Sequence, residues 1–192
     1  MPEIIISNIQ KTLAGLLTLR EINLTVTDST VAGVLGPSGC GKSTLFNIIS
    51  GLMKPDRGSI SIGGLDVTGK TGLVSYMHQK DLLLPSLDVL DNVSIPLVLK
   101  GTPRKKARAE AAGHLGTFGL AGFESYYPSQ LSGGMRQRAA MLRTYLFSSD
   151  IWLLDEPFAS LDAITKRKMH TWLTGVLEQI RPTVLFITLP YP

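Results

Sequence analysis

Short apolar runs separated by polar, glycine-bearing stretches divide this chain into alternating strands and helices. Ile4 to Ile9 and Ile22 to Thr27 carry β-branched residues in partial alternation, which predicts two strands. Val31 to Leu35 is a third apolar run that ends in a glycine-rich turn, and Ser43 to Ser50 then reads as a helix. Ile60 to Ile62 and Leu73 to Met77 predict further strands, bounded by Gly58, Gly63, Gly64 and Gly72. From about Asp81 to Ser149 the character turns helical. One helix is expected to start with Thr102 as N-cap and Pro103 in its first turn, and another follows Leu131-Ser132-Gly133-Gly134. Strand character returns at Ile151 to Leu154 and at Thr183 to Thr188. Between them Met169, Trp172, Leu173, Val176, Leu177 and Ile180 recur at helical spacing, so one helix face is apolar and Trp172 reads as core packing.

Strands alternating with helices predict an α/β fold in one domain, with 1–80 and 150–192 as the core and 81–149 as a helical insert. With 44% hydrophobic and 18% charged residues the chain reads as ordered and globular. No segment approaches the roughly 18 consecutive apolar residues of a spanning helix. The start, Met1 to Gln10, lacks the basic-then-apolar layout of a secretory signal, and the single cysteine, Cys40, leaves no internal disulfide. A soluble, intracellular protein is expected. The net charge of +4 raises the question of a nucleic-acid partner. The basic groups Arg104 to Arg108 and Lys166 to Lys168 fall on predicted helices without an aromatic platform or nucleic-acid motif, so they read as solvated faces and no nucleic acid is expected.

Gly36-Pro37-Ser38-Gly39-Cys40-Gly41-Lys42-Ser43-Thr44 fits the pattern G-x-x-x-x-G-K-[ST] between a strand and a helix. Its glycines let backbone amides turn inward onto phosphate oxygens, and the following helix adds its N-terminal amides. Lys42 would reach the β- and γ-phosphates, and the Ser43 hydroxyl would ligate Mg²⁺. Cys40 fills a permissive loop position. At average glycine usage the fixed positions match by chance in roughly one chain per hundred of this length, and the flanking strand and helix make chance rarer still. A second element is Ile151-Trp152-Leu153-Leu154-Asp155-Glu156-Pro157, a buried strand that delivers two acids to its C-terminal end, where open α/β sheets bind ligands. Asp155 would hold Mg²⁺ and Glu156 would polarise an attacking water.

Leu131-Ser132-Gly133-Gly134-Met135-Arg136-Gln137-Arg138 resembles the signature motif of ATP-binding-cassette ATPases. Two glycines and a serine opening a helix make a second anion site, which one molecule does not need but two head-to-tail copies do. The resemblance spans essentially the whole chain. It implies a P-loop cassette with a β-rich N-terminal part and a helical insert. It also implies ATP and Mg²⁺ as cofactors, and ATP hydrolysis that energises solute import. By the same resemblance Gln79 senses Mg²⁺ and the γ-phosphate, and Asp162, in Ala159-Ser160-Leu161-Asp162, lies in a loop that crosses the dimer seam. The implied partners are a membrane permease, a second identical or different ATP-binding subunit and, indirectly, a periplasmic or surface solute-binding protein. The implied location is peripheral, on the inner face of the membrane. Gln79 to Pro85 and Val89 to Val93 are similar to the nitrate, sulfonate, taurine and thiamine-precursor importers, with Ser86 where those carry tryptophan.

Two positions depart from the family pattern. The last catalytic strand of the family ends in Thr-His-Asp, whereas Thr188 here is followed by Leu189 and Pro190. The close on Leu189-Pro190-Tyr191-Pro192 resembles a shortened C-terminal end. Leu189 lacks the hydrogen bond that the histidine gives the γ-phosphate, so a hydrolysis-deficient subunit acting as a switch or structural half is the alternative function. Lys11 to Ala14 also offers no aromatic ring to stack on adenine, which predicts weaker base selection.

Overall fold

The computed structural model describes residues 3–148 and 150–188 and divides them into two compact units. The first takes in 3–76, 150–156 and 181–188; the second takes in 77–148 and 157–180.

In the first unit, β1 (Ile4–Leu13) and β2 (Leu16–Val26) form an antiparallel hairpin. Both strands run further than the hydrophobic pattern predicts. The reason is the two-residue turn Ala14-Gly15, with both φ angles positive, which matches the twist of paired strands and carries the ladder to Leu13 opposite Leu16. Alternation breaks at Asn8, a bulge with φ 51°, whose backbone amide donates to Asn23 Oδ1 and whose Oδ1 accepts from Asn23 Nδ2. β4 (Arg57–Ile62) and the two-residue β5 (Leu65–Asp66) complete a sheet ordered β2-β1-β4-β5.

A second sheet has the order β3-β8-β7-β6, from β3 (Val31–Leu35), β8 (Thr183–Thr188), β7 (Ile151–Asp155) and β6 (Ser75–Met77). β8 pairs in parallel with both β3 and β7. Helix α1 (Lys42–Ile49) turns Leu45, Phe46, Ile48 and Ile49 into a core shared with Ile4, Ile6, Ile9, Ile60, Ile151, Leu153, Leu185 and Ile187. Each such side chain contributes about 1.5–3 kcal/mol by leaving water. All five residues of β7 are buried, the pattern of a central parallel strand.

The second unit contains α2 (Val89–Leu99), α3 (Arg104–His114), a 3₁₀ turn at Pro128–Gln130, α4 (Gly133–Phe147) and α5 (Ala163–Ile180). Asp88 caps α2 by accepting from the Asp91 amide at 2.6 Å. Arg104 and Arg108 of α3 pair with Asp91, and Arg108 also reaches Asp88, so part of the basic stretch is neutralised within the fold. The expected cap at Thr102 is corrected to Pro103. The Thr102 amide bonds to Leu97 O at 3.0 Å and so closes α2, which leaves the extended Pro103 to open α3. On α5 the apolar stripe buries Met169, Leu173 and Val176. Trp172 lies edge-on to Phe118, with the Arg138 guanidinium 5.1 Å from its ring centre.

Asn92, fully buried on α2, clamps the preceding loop. Its Oδ1 accepts from Leu84 N at 2.7 Å, and its Nδ2 lies 3.0 Å from the carbonyls of Leu84, Leu87 and Asp88. Asn92→Ala strands those groups and is expected to cost about 2–4 kcal/mol. A urea titration measures it, and an unchanged midpoint would refute the clamp.

Candidate functional site

The loop between β3 and α1 is shaped by conformations that side chains resist. Gly39 and Gly41 have φ of 80° and 97°. Gly41 is also pressed against β2: a Cβ there would lie 2.9 Å from Leu19 Cδ2 and 3.1 Å from the Thr18 carbonyl oxygen. A Cβ at Gly36 would lie 2.8 Å from Cys40 Sγ, so the exposed cysteine packs back across the loop. Lys42 curls over the same backbone, its Nζ donating to Gly36 O at 2.7 Å and Pro37 O at 2.8 Å. Only 9% of Lys42 is exposed, and its third contact is a long one to Cys40 Sγ at 4.0 Å, the weakest of the three for an incoming acceptor to displace. Ser43 is exposed and Thr44 half-buried. No side chain caps α1 and no acid stands in its first turn, so its N-terminal dipole is free to meet an anion.

Parallel pairing sets the acids beside this loop. Leu35 is in register with Thr188 and Asp155 with Ile187, so β3 and β7 end on the same sheet edge with β8 between them. Two strand spacings, about 10 Å, separate those ends. Asp155 is 8% exposed, and Tyr76 Oη donates to its Oδ2 at 3.2 Å. Burial first, and then the Asp155 charge, pushes the Tyr76 phenol well above its ordinary value, so it remains a donor. Glu156 takes a left-handed φ of 45°, costly for a residue with a side chain, and is held there by its amide donating to Ile187 O at 3.1 Å. Sequence reasoning missed Tyr76; its signal was a polar-tipped ring inside the short run Val74 to Met77.

The second unit assembles another group. Exposed Ser132 caps α4, its Oγ accepting from the Met135 amide at 3.3 Å. Gly133 and Gly134 admit α5 and the turn before it: Cβ atoms there would lie 3.0 Å from Leu161 Cδ2 and 3.4 Å from Thr165 Cγ2. Asp162, next to Leu161, caps α5 by accepting from the Ile164 and Thr165 amides at 3.1 and 3.0 Å. Those bonds, Thr165 foremost, hold its carboxyl below the usual range. Gln79 is exposed in the segment that follows β6. Leu189 and Pro190 lie outside the described residues. Among the described residues no helix is long and apolar enough to cross a membrane.

A family model described as ABC transporter matches residues 19–159. The formylaminopyrimidine import ATP-binding protein ThiZ of Halalkalibacterium halodurans is 48% identical over 170 residues, 88% of this chain and 66% of that protein. This chain therefore spans slightly less than two thirds of that relative's length. The taurine import ATP-binding protein TauB of Yersinia pestis bv. Antiqua is 39% identical over 88% of this chain and 67% of its own. Among solved structures, the dimeric structure of the bacterial ABC transporter cassette MJ0796 superposes with a TM-score of 0.82 at 30% identity, covering 96% of this chain and 87% of that one. The α/β cassette expected from the sequence is the observed fold.

Gly41→Ala places a Cβ into β2 at a φ that L-residues avoid. The backbone strain alone should cost about 1–3 kcal/mol, read as a lower thermal midpoint. A variant as stable as the parent would show that Thr18 and Leu19 do not confine the loop.

Proposed function

Since the chain belongs to the ABC transporter family, we propose that it is the ATP-hydrolysing motor subunit of a solute importer. One observation carries the reading: the phosphate loop and the Asp155-Glu156 pair leave a single edge of the β3-β8-β7 sheet. In this reading the backbone N–H groups of the loop from Gly36 to Thr44 cradle the phosphates, and the Lys42 ammonium exchanges its long contact with Cys40 Sγ for the β- and γ-oxygens. Ser43, Asp155 and Gln79 would hold Mg²⁺, which when bound neutralises phosphate charge. The donor set fits that ion. A hydroxyl and one buried carboxylate, from Ser43 and Asp155, would share the metal with substrate phosphates. Glu156, in its left-handed turn just after β7, would orient a water and accept its proton as that water attacks the γ-phosphorus and the bond to the β-phosphate oxygen breaks, releasing ADP.

Ser132, Gly133 and Gly134 serve a second copy in this reading. Their helix start would cap the γ-phosphate of ATP on the partner subunit's loop, with Asp162 alongside at the seam. Two subunits then close on ATP and part after hydrolysis. The contact with a permease is supported by an apolar groove on α2 and the start of α3, lined by Leu87, Ile95, Val98 and Leu99 together with Asp91 and Arg104. Its mainly apolar lining suits the nonpolar face of a short amphipathic helix of a membrane subunit. That contact would hold the chain at the inner face of the membrane. The named relatives act on formylaminopyrimidine and taurine import, which supports a small polar solute chosen by the permease and its solute-binding protein.

Size-exclusion chromatography tests the clamp. Glu156→Gln should dimerise with ATP, and both Lys42→Ala and Ser132→Arg introduced into that background should remain monomeric. Dimerisation that ignores either change would defeat the two-site reading.

A second reading is favoured by Leu189-Pro190, where the family places His-Asp. The subunit would then bind ATP and close but turn over slowly, because loss of one fixed donor to the γ-phosphoryl oxygens costs about 10²- to 10³-fold in rate. Leu189→His with Pro190→Asp should raise kcat with little change in ATP affinity, measured as phosphate release at saturating MgATP. Ordinary importer rates in the parent would rule this reading out.

A further inference from the structure

We infer that Tyr76 is a positioning residue for the magnesium site, its hydroxyl fixing one oxygen of Asp155 so that the other is left for the ion. The inference rests on the reading that Asp155 holds Mg²⁺ beside the phosphate loop. β6 lies next to β7 in the sheet, which brings Tyr76 and Asp155 together although 79 residues separate them. A carboxylate as buried as Asp155 needs fixed donors, and the Tyr76 hydroxyl supplies one at 3.2 Å.

The ring that carries this hydroxyl is itself held. Phe46 meets Tyr76 edge-to-face, with ring centres 5.9 Å apart and planes at 76°. Phe46 is fully buried on α1, one turn beyond Lys42. The helix that begins at the phosphate loop therefore sets the ring, and the ring sets the carboxylate. Groups that orient a metal ligand through its free atom typically alter metal affinity by about 10- to 100-fold when removed. Removing one hydrogen-bond donor while the carboxylate itself stays in place belongs at the lower end of that range.

Tyr76→Phe removes the hydroxyl and keeps the ring against Phe46. The experiment titrates a fluorescent ATP analogue into the full chain across a range of MgCl₂ concentrations and in EDTA, for the parent, Tyr76→Phe and Asp155→Asn. The expected result is that Mg²⁺ tightens binding to the parent and that Asp155→Asn loses most of this gain. Tyr76→Phe should need about tenfold more Mg²⁺ for the same gain, with the parent's affinity in EDTA. That unchanged metal-free affinity also shows that the variant is folded around an intact loop. A Tyr76→Phe variant with the parent's Mg²⁺ response, or a stronger one, overturns the role of Tyr76 while leaving Asp155 in place. Equal loss of binding in EDTA and in Mg²⁺ makes the hydroxyl a structural group and overturns the inference as well. If Asp155→Asn keeps the full Mg²⁺ response, the reading of the metal site falls, and the inference with it.

Discussion

Parallel hydrogen bonding of β8 to both β3 and β7 is the constraint from which the candidate site follows. It joins residues 31–35, 151–155 and 183–188 into one block, so segments more than a hundred positions apart end on a common edge. β8 and β7 lie inside the sheet, with Ile151 to Asp155 wholly buried, so their polar groups gather at the strand ends, whereas β3 is the edge strand and leaves Val31 and Leu35 exposed. A glycine loop leaves one strand and two acids leave another. Neither group has much use without the strand between them.

Around that edge, close approach is bought with glycine and with strain. Gly41 accepts a φ of 97° and lets β2 press on the start of α1. Glu156 takes a left-handed turn without being glycine, and a single backbone bond to Ile187 holds it there. The second unit follows the same logic by different means. Gly133 and Gly134 let Leu161 and Thr165 approach α4, and the hydrogen-bonding side chains of Ser132 and Asp162 open the two helices. Asp162 thus has a structural task as a helix cap besides the role proposed for it at a subunit seam.

Acidic residues are distributed unevenly between the helix starts. α1 begins without an acid, whereas α2 begins with Asp88 and Asp91 and meets Arg104 and Arg108 from α3. The Arg104 hydrogen bond first, and Arg108 after it, keeps the Asp91 carboxyl below its usual range. The positive end of α2 is therefore already met by acids, whereas that of α1 has neither a side-chain cap nor an acid in its first turn.

The glycine-rich turn before α1, the buried strand that runs into Asp155-Glu156 and the helix start at Ser132 were all legible in the sequence, because each depends on local chemistry. Glycine where the backbone must turn, β-branched and aliphatic residues where a strand is covered, and serine before a helix act within a few residues of themselves. Other features had no local signature. Leu16 and Leu17 are 74% and 56% exposed, so the stretch that continues the β1-β2 hairpin shows no hydrophobic alternation, and backbone pairing across Ala14-Gly15 decides it. β5 is two residues long, too short for any period to register. The start of α3 moved to Pro103 because the Thr102 amide is claimed by the end of α2. Tyr76 reaches Asp155 only because β6 and β7 are neighbours in the sheet. Periodicity reports which face of an element is covered, but strand order and partner choice are set by long-range packing, and that only the tertiary structure decides.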